Sequence, residues 1–269
     1  MVRIDVTNVL FLDIETVCGV KDFEELNPDM QVLWAHKASK IERRELEPEE
    51  ISALYKDRAA IYAEFGKIVC ISVGIVHRDK EGKLFVRLKS FASDDEKELL
   101  EDFADLMNQY YTNPAKQYIC GHNVKEFDVP YMCRRMVVNQ VWLPNMMQLF
   151  GKKPWELQHL LDTMNMWKFG DYKNYTSLKL LAGVLGFPSP KDDIDGSEVG
   201  RVYWDEDDLE RIAIYCEKDV LATIQLLLRF LYQPLLEEDQ ITFLGRENKE
   251  RKEEEKPKKA KKEKKKKTK

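Results

Sequence analysis

Asp13 and Glu15 stand two residues apart in VLFLDIETVCG, residues 9–19, a segment otherwise rich in apolar side chains. Side chains alternate along a strand, so the two carboxylates share one face and Ile14 points to the other. Two carboxylates so placed lose hydration and repel each other. A divalent cation would relieve both costs, and the chain must then supply further oxygen ligands. GHNVKEFDVPYM, residues 121–132, puts Asp128 where a strand and loop pass into a helix, with Asn123 five residues upstream. A plain helix N-cap would also suit that Asp. In YCEKDV, residues 215–220, Tyr215 and Asp219 are i and i+4 on a helical pattern and share a face. Ile212, Ile214, Ala222 and Leu226 lean this face toward a core, although a surface Asp beside a snorkelling Tyr fits the same spacing. Together Asp13, Glu15, Asp128 and Asp219 could hold two Mg²⁺ or Mn²⁺ ions roughly 3.5–4 Å apart. Such a pair clamps a scissile phosphate, activates a water and stabilises a leaving 3′-oxygen, with Tyr215 orienting the water.

Acidic-x-acidic triplets are common by themselves: 48 acids in 269 residues give roughly eight by chance. Asp193-Ile194-Asp195 is one, beside Gly196. The calcium-loop register would put Lys191 first and Val202 twelfth, so it fails. The acids at 205–208 suit a helix N-terminus. Asp13 and Glu15 differ because their segment reads as a buried strand.

The elements that must carry these groups follow from periodicity. Residues 8–15 read as the first strand and 21–64 as mostly helical. GKIVCISVGIVH, 66–77, is a β-branched run and a second strand; Glu81-Gly82 signals a hairpin into a third, 83–91. Residues 93–111 read as a helix capped by Ser93. Residues 116–123 form a short buried strand, followed by a helix in which Pro130 lies near the start. Residues 156–169 suit a short strand and a helical turn. Residues 177–187 form an apolar helix stopped by Gly186 and Pro188, and 188–200 a loop. The segment 205–231 has the strongest helical pattern in the chain. This order predicts one α/β domain, residues 1–245, with a mixed sheet and a helical insertion between its first two strands. Residues 246–269 are a Lys/Glu tract with almost no apolar content, expected to be disordered.

DIET, GHN…FD and YCEKD, in this order, resemble the three motifs of the DEDD 3′→5′ exonucleases, whose fold is ribonuclease H-like. One branch of that family has His five residues before the last Asp, the other Tyr four before. Position 214 is Ile and 215 is Tyr, which matches the tyrosine branch. FGKIVCISVG, LLDTMNMWKFGDYKNYTSLKLLA and PSPKDDIDGSEV are similar to stand-alone bacterial proteins related to the exonuclease domain of family B DNA polymerases. The resemblance covers about residues 8–235. It implies metal-dependent hydrolysis at 3′ ends of single-stranded DNA, releasing nucleoside 5′-monophosphates. It also implies that Asp13, Glu15, Asp128 and Asp219 are the metal ligands and that Tyr215 is catalytic. Asn123 resembles a residue that contacts the substrate backbone or terminus. Phe127 could wedge beside a terminal base or pack in the core. Lys168, Lys173 and Tyr175 form a basic-aromatic mix suited to a single strand, and suited equally to a solvated loop. Asp162 could lie near the site or cap a helix, and His122 reads as structural.

The net charge of −5 hides an asymmetry. From Arg246 to Lys269 there are 14 Lys/Arg and six Glu, leaving the other 245 residues at −13. An acidic body argues against a generic phosphate-coating binder and suits an enzyme that meets phosphate through metal ions. The basic tail could hold nucleic acid or merely solubilise. Five scattered cysteines without C-x-x-C fit reduced thiols. No signal-peptide pattern and no membrane-length apolar run is present, so a cytoplasmic protein without a membrane partner is expected. The length leaves no room for a polymerase as well, so a repair or replication role would need a partner. Two alternatives stay open: an RNA exonuclease of the same chemistry, and a non-catalytic nucleic-acid-binding module of the same fold.

Overall fold

The computed structural model describes residues 4–171, 175–188 and 194–245. The chain opens with β1 (Val9–Cys18), then α1 (Pro28–Glu42) and α2 (Pro48–Arg58). An antiparallel pair follows, β2 (Gly66–Arg78) and β3 (Leu84–Ala92). Helix α3 (Glu96–Tyr110) leads to β4 (Tyr118–Gly121), and α4 (Asp128–Val138) leads to β5 (Leu160–Asp162). The helices α5 (Thr163–Lys168), α6 (Leu178–Leu185), α7 (Val199–Trp204) and α8 (Leu209–Phe230) precede β6 (Ile241–Phe243). The strands make one mixed sheet in the order β5-β4-β1-β2-β3-β6. β1, β4 and β5 are parallel, so Cys18, Gly121 and Asp162 end at the same side of the sheet. That side is where α/β folds build sites, because the following loops converge there.

Alternation along β1 assigns its two faces. Leu10, Leu12 and Ile14 pack with Leu99, Leu100 and Phe103 of α3 and with Val129, Met132 and Met136 of α4. Val9 and Phe11 pack on the other face with Val220, Ile224 and Leu227 of α8. Both faces are therefore covered, which explains the near-continuous apolar run that precedes Asp13. Helix α8 sits very close to β2: a Cβ at Gly74 would lie 2.8 Å from Ile224 Cδ1 and 2.9 Å from Val220 Cγ1. Only glycine admits this approach, and it sets the height of α8 above the sheet one residue from Asp219.

Several helix starts follow from their caps. Asn27 accepts from the Met30 amide, Ser177 from Leu180 and Asp208 from Arg211, each satisfying an amide in a first helical turn. For α3 the cap is Asp95, not the expected Ser93; its Oδ1 accepts from the Lys97 and Glu98 amides. The expected helical insertion is α1 and α2. They bury Trp34 and Tyr55 edge to face at 5.4 Å, in a small core with Cys18 and Phe65. The Tyr131 hydroxyl donates to the Ala60 carbonyl, and Arg135 Nη1 donates to that of Ala63, so this unit is tied to α4.

Two elements lie outside the expected pattern. Helix α7 begins at the end of the expected loop 188–200 and buries Val199 and Val202. It is held by tertiary packing more than by its own six residues. Strand β6 pairs parallel with β3 over three residues, too short for a periodicity to register. The expectations for Lys173 and for the tail 246–269 lie outside the described residues. Among the described residues no helix is long and apolar enough to cross a membrane. All five cysteines are free thiols.

Candidate active site

Asp13 and Glu15 extend the β1 face that Val9 and Phe11 present to α8, as alternation requires. The β1–β2 register shifts directly after Glu15: Glu15 pairs with Cys70 and Thr16 with Ile68, leaving Val69 as the extra residue of a bulge. A bulge turns the side chains next to it, and here those side chains include a site carboxylate. β4 pairs with β1 only from Val9 to Phe11. Beyond that, β1 has no strand partner on its β4 side among the described residues. Asp128 fills this place: its Oδ1 accepts the Ile14 amide at 3.2 Å from the first turn of α4. Tyr215 and Asp219 come from α8, and the Tyr215 hydroxyl donates to the Asp219 carboxylate.

The electrostatics of the four carboxylates are coupled. Burial first, then Asp128, Glu15 and Asp219, hold Asp13 well above the usual carboxylate range, partly offset by the Cys216 thiol. Burial followed by Asp219, Cys70 and Asp128 does the same to Glu15. Asp128 is pushed up to about 7, mainly by burial, against the pull of the backbone amides of Asp128 and Ile14. Asp162 adds to the rise of Asp128. Asp128, Glu15 and Asp219 thus crowd negative charge onto Asp13, and this repulsion is what a cation would relieve. Burial and the same acids drive the Tyr215 hydroxyl upward, so it stays a protonated donor.

Oxygen atoms of Asp13 and Glu15 and the Cys216 sulfur lie within 4.8 Å of one another. A thiolate beside two carboxylates would suit zinc. The Cys216 thiol is instead held well above its usual pKa by burial, and it donates to the Asp13 carbonyl at 3.4 Å and to Oδ2 at 3.5 Å. It behaves as a protonated support for Asp13. The remaining donors are carboxylate oxygens, which fit a hard divalent cation of the Mg²⁺ or Mn²⁺ kind.

The loop after β4 is organised by Asp162, whose weight at the site the sequence understated. Its Oδ1 accepts the Asn123, Met164 and Asn165 amides, and its Oδ2 accepts the Lys125 amide, all at 3.0–3.2 Å. It is thus both the cap of α5 and the anchor of the loop that precedes Asp128. Asn123 takes a left-handed conformation there, φ 70°, which Asn tolerates better than most residues. Gly121 makes the tight exit possible: a Cβ on it would lie 2.8 Å from Val124 Cβ. His122 is structural in its contacts. Its Nε2–H donates to the Thr176 carbonyl at 2.8 Å and its Nδ1 accepts the Thr163 hydroxyl at 2.9 Å. Burial lowers its pKa and favours this neutral form.

Phe127 is half-buried and packs at 5.4 Å on Tyr131 against the sheet core. Lys168 lies over the Tyr175 ring at 4.6 Å, and the Tyr175 hydroxyl donates to Glu126 of the same β4–α4 loop. The structure thus brings together Asp13, Glu15, Asp128, Tyr215 and Asp219, and sets Asn123, Phe127, Lys168 and Tyr175 around the adjoining loop. Cys216 is the neighbour that the sequence did not single out; its adjacency to Tyr215 was the available signal.

Comparison with known proteins gives the same fold and a family. The structure is similar to that of the family B DNA polymerase from the hyperthermophilic archaeon Pyrobaculum calidifontis, with a TM-score of 0.50 and 17% sequence identity over 83% of this chain. The chain spans 24% of that polymerase's length. The likeness shows the fold, a ribonuclease H-like α/β domain with a mixed six-stranded sheet. A comparison with curated proteins gives no match. A family model matches residues 61–262; this range includes Asp128, Tyr215 and Asp219 and begins after Asp13 and Glu15. The chain therefore belongs to the family described as predicted 3′-5′ exonucleases related to the exonuclease domain of PolB.

Proposed function

We propose that the protein is a divalent-metal-dependent exonuclease that removes nucleotides from the 3′ end of single-stranded DNA and releases nucleoside 5′-monophosphates. The observation that carries this reading is the convergence of Asp13, Glu15, Asp128 and Asp219 from β1, α4 and α8. Asp13 and Glu15 are held above their usual range by burial and by other members of the set, and Asp128 by burial and the nearby Asp162. Bound Mg²⁺ or Mn²⁺, two ions in this reading, would neutralise the scissile phosphate, supply a hydroxide-like water and stabilise the leaving 3′-oxygen.

The chain's own groups do the rest. The four carboxylates present oxygen donors, and the Cys216 thiol and the Ile14 amide fix two of them in place. The Tyr215 hydroxyl, kept protonated, turns its proton from Asp219 to the oxygen of the attacking water and holds it in line with the phosphorus. Asn123, positioned by Asp162, meets the terminal sugar or phosphate. Phe127, Lys168 and Tyr175 border the strand end, and Lys173 is assigned there with them. The motif residues do not read the sugar, so the DNA preference rests on the family's relation to a DNA polymerase exonuclease domain. Action within DNA repair or replication, beside a partner that carries polymerase activity, belongs to the same reading, as does a cytoplasmic location.

The test is digestion of 5′-labelled single-stranded DNA and RNA oligonucleotides with Mg²⁺, with Mn²⁺ and with chelator, beside an Asp13→Ala protein. The expected result is a ladder shortening from the 3′ end of DNA, absent with chelator and in the variant. Faster loss of RNA would make the enzyme a ribonuclease of the same chemistry. Gel shifts that survive chelation, with intact oligonucleotides under every metal, would replace catalysis with binding alone.

A further inference from the structure

Residues 129–155 are the longest stretch of the chain without a carboxylate, and they contain Arg134, Arg135, Lys152 and Lys153. In a body of net charge −13 this is a local reversal of sign. Arg135 is spent on a buried pair with Glu96, which leaves Arg134, Lys152 and Lys153 facing solvent. The same stretch carries three of the most exposed aromatic rings of the molecule: Trp142 at 89%, Phe150 at 77% and Trp155 at 65%. Phe150 lines a groove of about 610 Å³ between the outer side of α4, with Arg134, Val137 and Val138, and the returning chain; Glu64 stands on its rim.

Two observations make these rings a prepared surface. Trp155 sits in a short turn closed by the Glu156 carboxylate, which accepts the Lys153 amide at 2.8 Å, and Lys153 Nζ lies 5.1 Å from the Trp155 ring centre. The groove also starts near the candidate active site: its lining includes Pro130, two residues past Asp128 on α4. Lys125 belongs to the loop that Asp162 anchors, three residues before Asp128. From Asp128, α4 carries the groove wall about 15 Å farther along its axis to Val138.

We infer that Lys125, Lys152, Lys153, Trp155 and Phe150 form a track for the single-stranded nucleic acid upstream of the 3′ end. Bases stack on Trp155 and Phe150, and phosphates follow the lysines. Cations interleaved with rings are what an unpaired strand recognises, because every base offers a π-face and every linkage a negative charge. This inference rests on the proposed nuclease reading and specifies where its substrate lies. The rings serve affinity for longer strands, whereas the carboxylates serve cleavage.

The test separates the two. In chelator, fluorescence anisotropy measures binding of a labelled oligothymidylate of about 12 nucleotides to the wild type and to Phe150→Ala/Trp155→Ala. Hydrolysis of that oligonucleotide and of a trinucleotide is then followed with Mg²⁺. The expected result is a loss of roughly tenfold in affinity per ring, a matching rise in KM for the long strand, and unchanged trinucleotide hydrolysis. Equal affinity of the two proteins, or no binding by the wild type, overturns the track. So does a variant that loses trinucleotide hydrolysis equally, since the rings would then support the site itself. A wild-type dimer that the variant converts to monomer, with oligonucleotide affinity intact, would assign the rings to a second copy. Failure of the wild type to cleave either length removes the nuclease reading, and the chelator arm still judges the track.

Discussion

Two buried clusters of charge on opposite sides of the sheet are handled in opposite ways. On the α3 side, Glu96 accepts the Ile68 amide at 2.7 Å, Arg135 Nε at 2.8 Å and Nη2 at 2.5 Å, and the Asn139 amide at 2.9 Å. Every lone pair that faces the interior has a donor, and the opposing charge is in contact. At the end of β1, burial first and then neighbouring carboxylates raise the pKa values of Asp13, Glu15 and Asp128. The first arrangement is complete without a ligand and holds α3, α4 and the second strand together. The second has acceptor oxygens in surplus and is kept that way by the backbone around it. Burial of a charge is therefore no sign of function; what separates the two clusters is whether the fold itself supplies the counter-charge.

Substitutions at the two clusters should have opposite signatures. Asp219→Asn should cut the rate of 3′-terminal hydrolysis by about 10³-fold or more, since it removes a ligand responsible for several kcal/mol of charge stabilisation. Single-turnover digestion measures it, while urea denaturation in chelator should show stability equal to or above that of the wild type. A clear loss of stability there would mean that the carboxylate is structural after all. Glu96→Gln should do the reverse. It strands Arg135, whose side chain is only 13% exposed, and should cost about 3–5 kcal/mol in urea denaturation. The protein that remains folded should keep its rate.

Divalent cations sharpen the contrast further. Mg²⁺ at about 100 times its dissociation constant should raise the unfolding free energy by about 2.7 kcal/mol. Thermal scans of the Glu96→Gln protein should shift by a similar amount, and those of Asp219→Asn should not. The smallest effect belongs to His122. Its folded pKa lies below the ordinary 6.5, so the neutral form is the one the fold prefers. Stability is complete above the unfolded pKa and declines as the pH falls below it, because the unfolded chain takes up the proton first. Stability should fall between pH 7.5 and 5.5, and His122→Gln should flatten the slope of stability against pH. An unchanged slope would place the acid sensitivity elsewhere.

The parts legible in the sequence were those in which one residue's neighbours along the chain decide its environment. Alternation put Asp13 and Glu15 on one face, and helical spacing put Tyr215 with Asp219; both hold. The five longest-patterned segments came out within a few residues. The bulge at Val69 was not legible, because a register depends on two strands at once. The reach of Asp162 was not legible either: its own capping role is local, but its bonds to the Asn123 and Lys125 amides span 39 and 37 residues. β6 and α7 are short and borrow their stability from β3 and from the cluster around Val202, so no window of sequence announces them.

The half of β1 that carries the carboxylates is, on one side, a sheet edge within the middle of a sheet. β4 stops at Gly121 while β1 runs on to Cys18. An exposed edge invites another chain to add a strand, and proteins commonly guard such edges with charge or with a covering element. Here Asp128 occupies the Ile14 amide, and the α1–α2 unit packs over the tip at Cys18. Asp128 thus also covers a backbone donor on that side of β1. Removing several of the carboxylates at once to silence the enzyme would uncover a sticky strand, so a multiply neutralised variant should aggregate where each single one stays in solution.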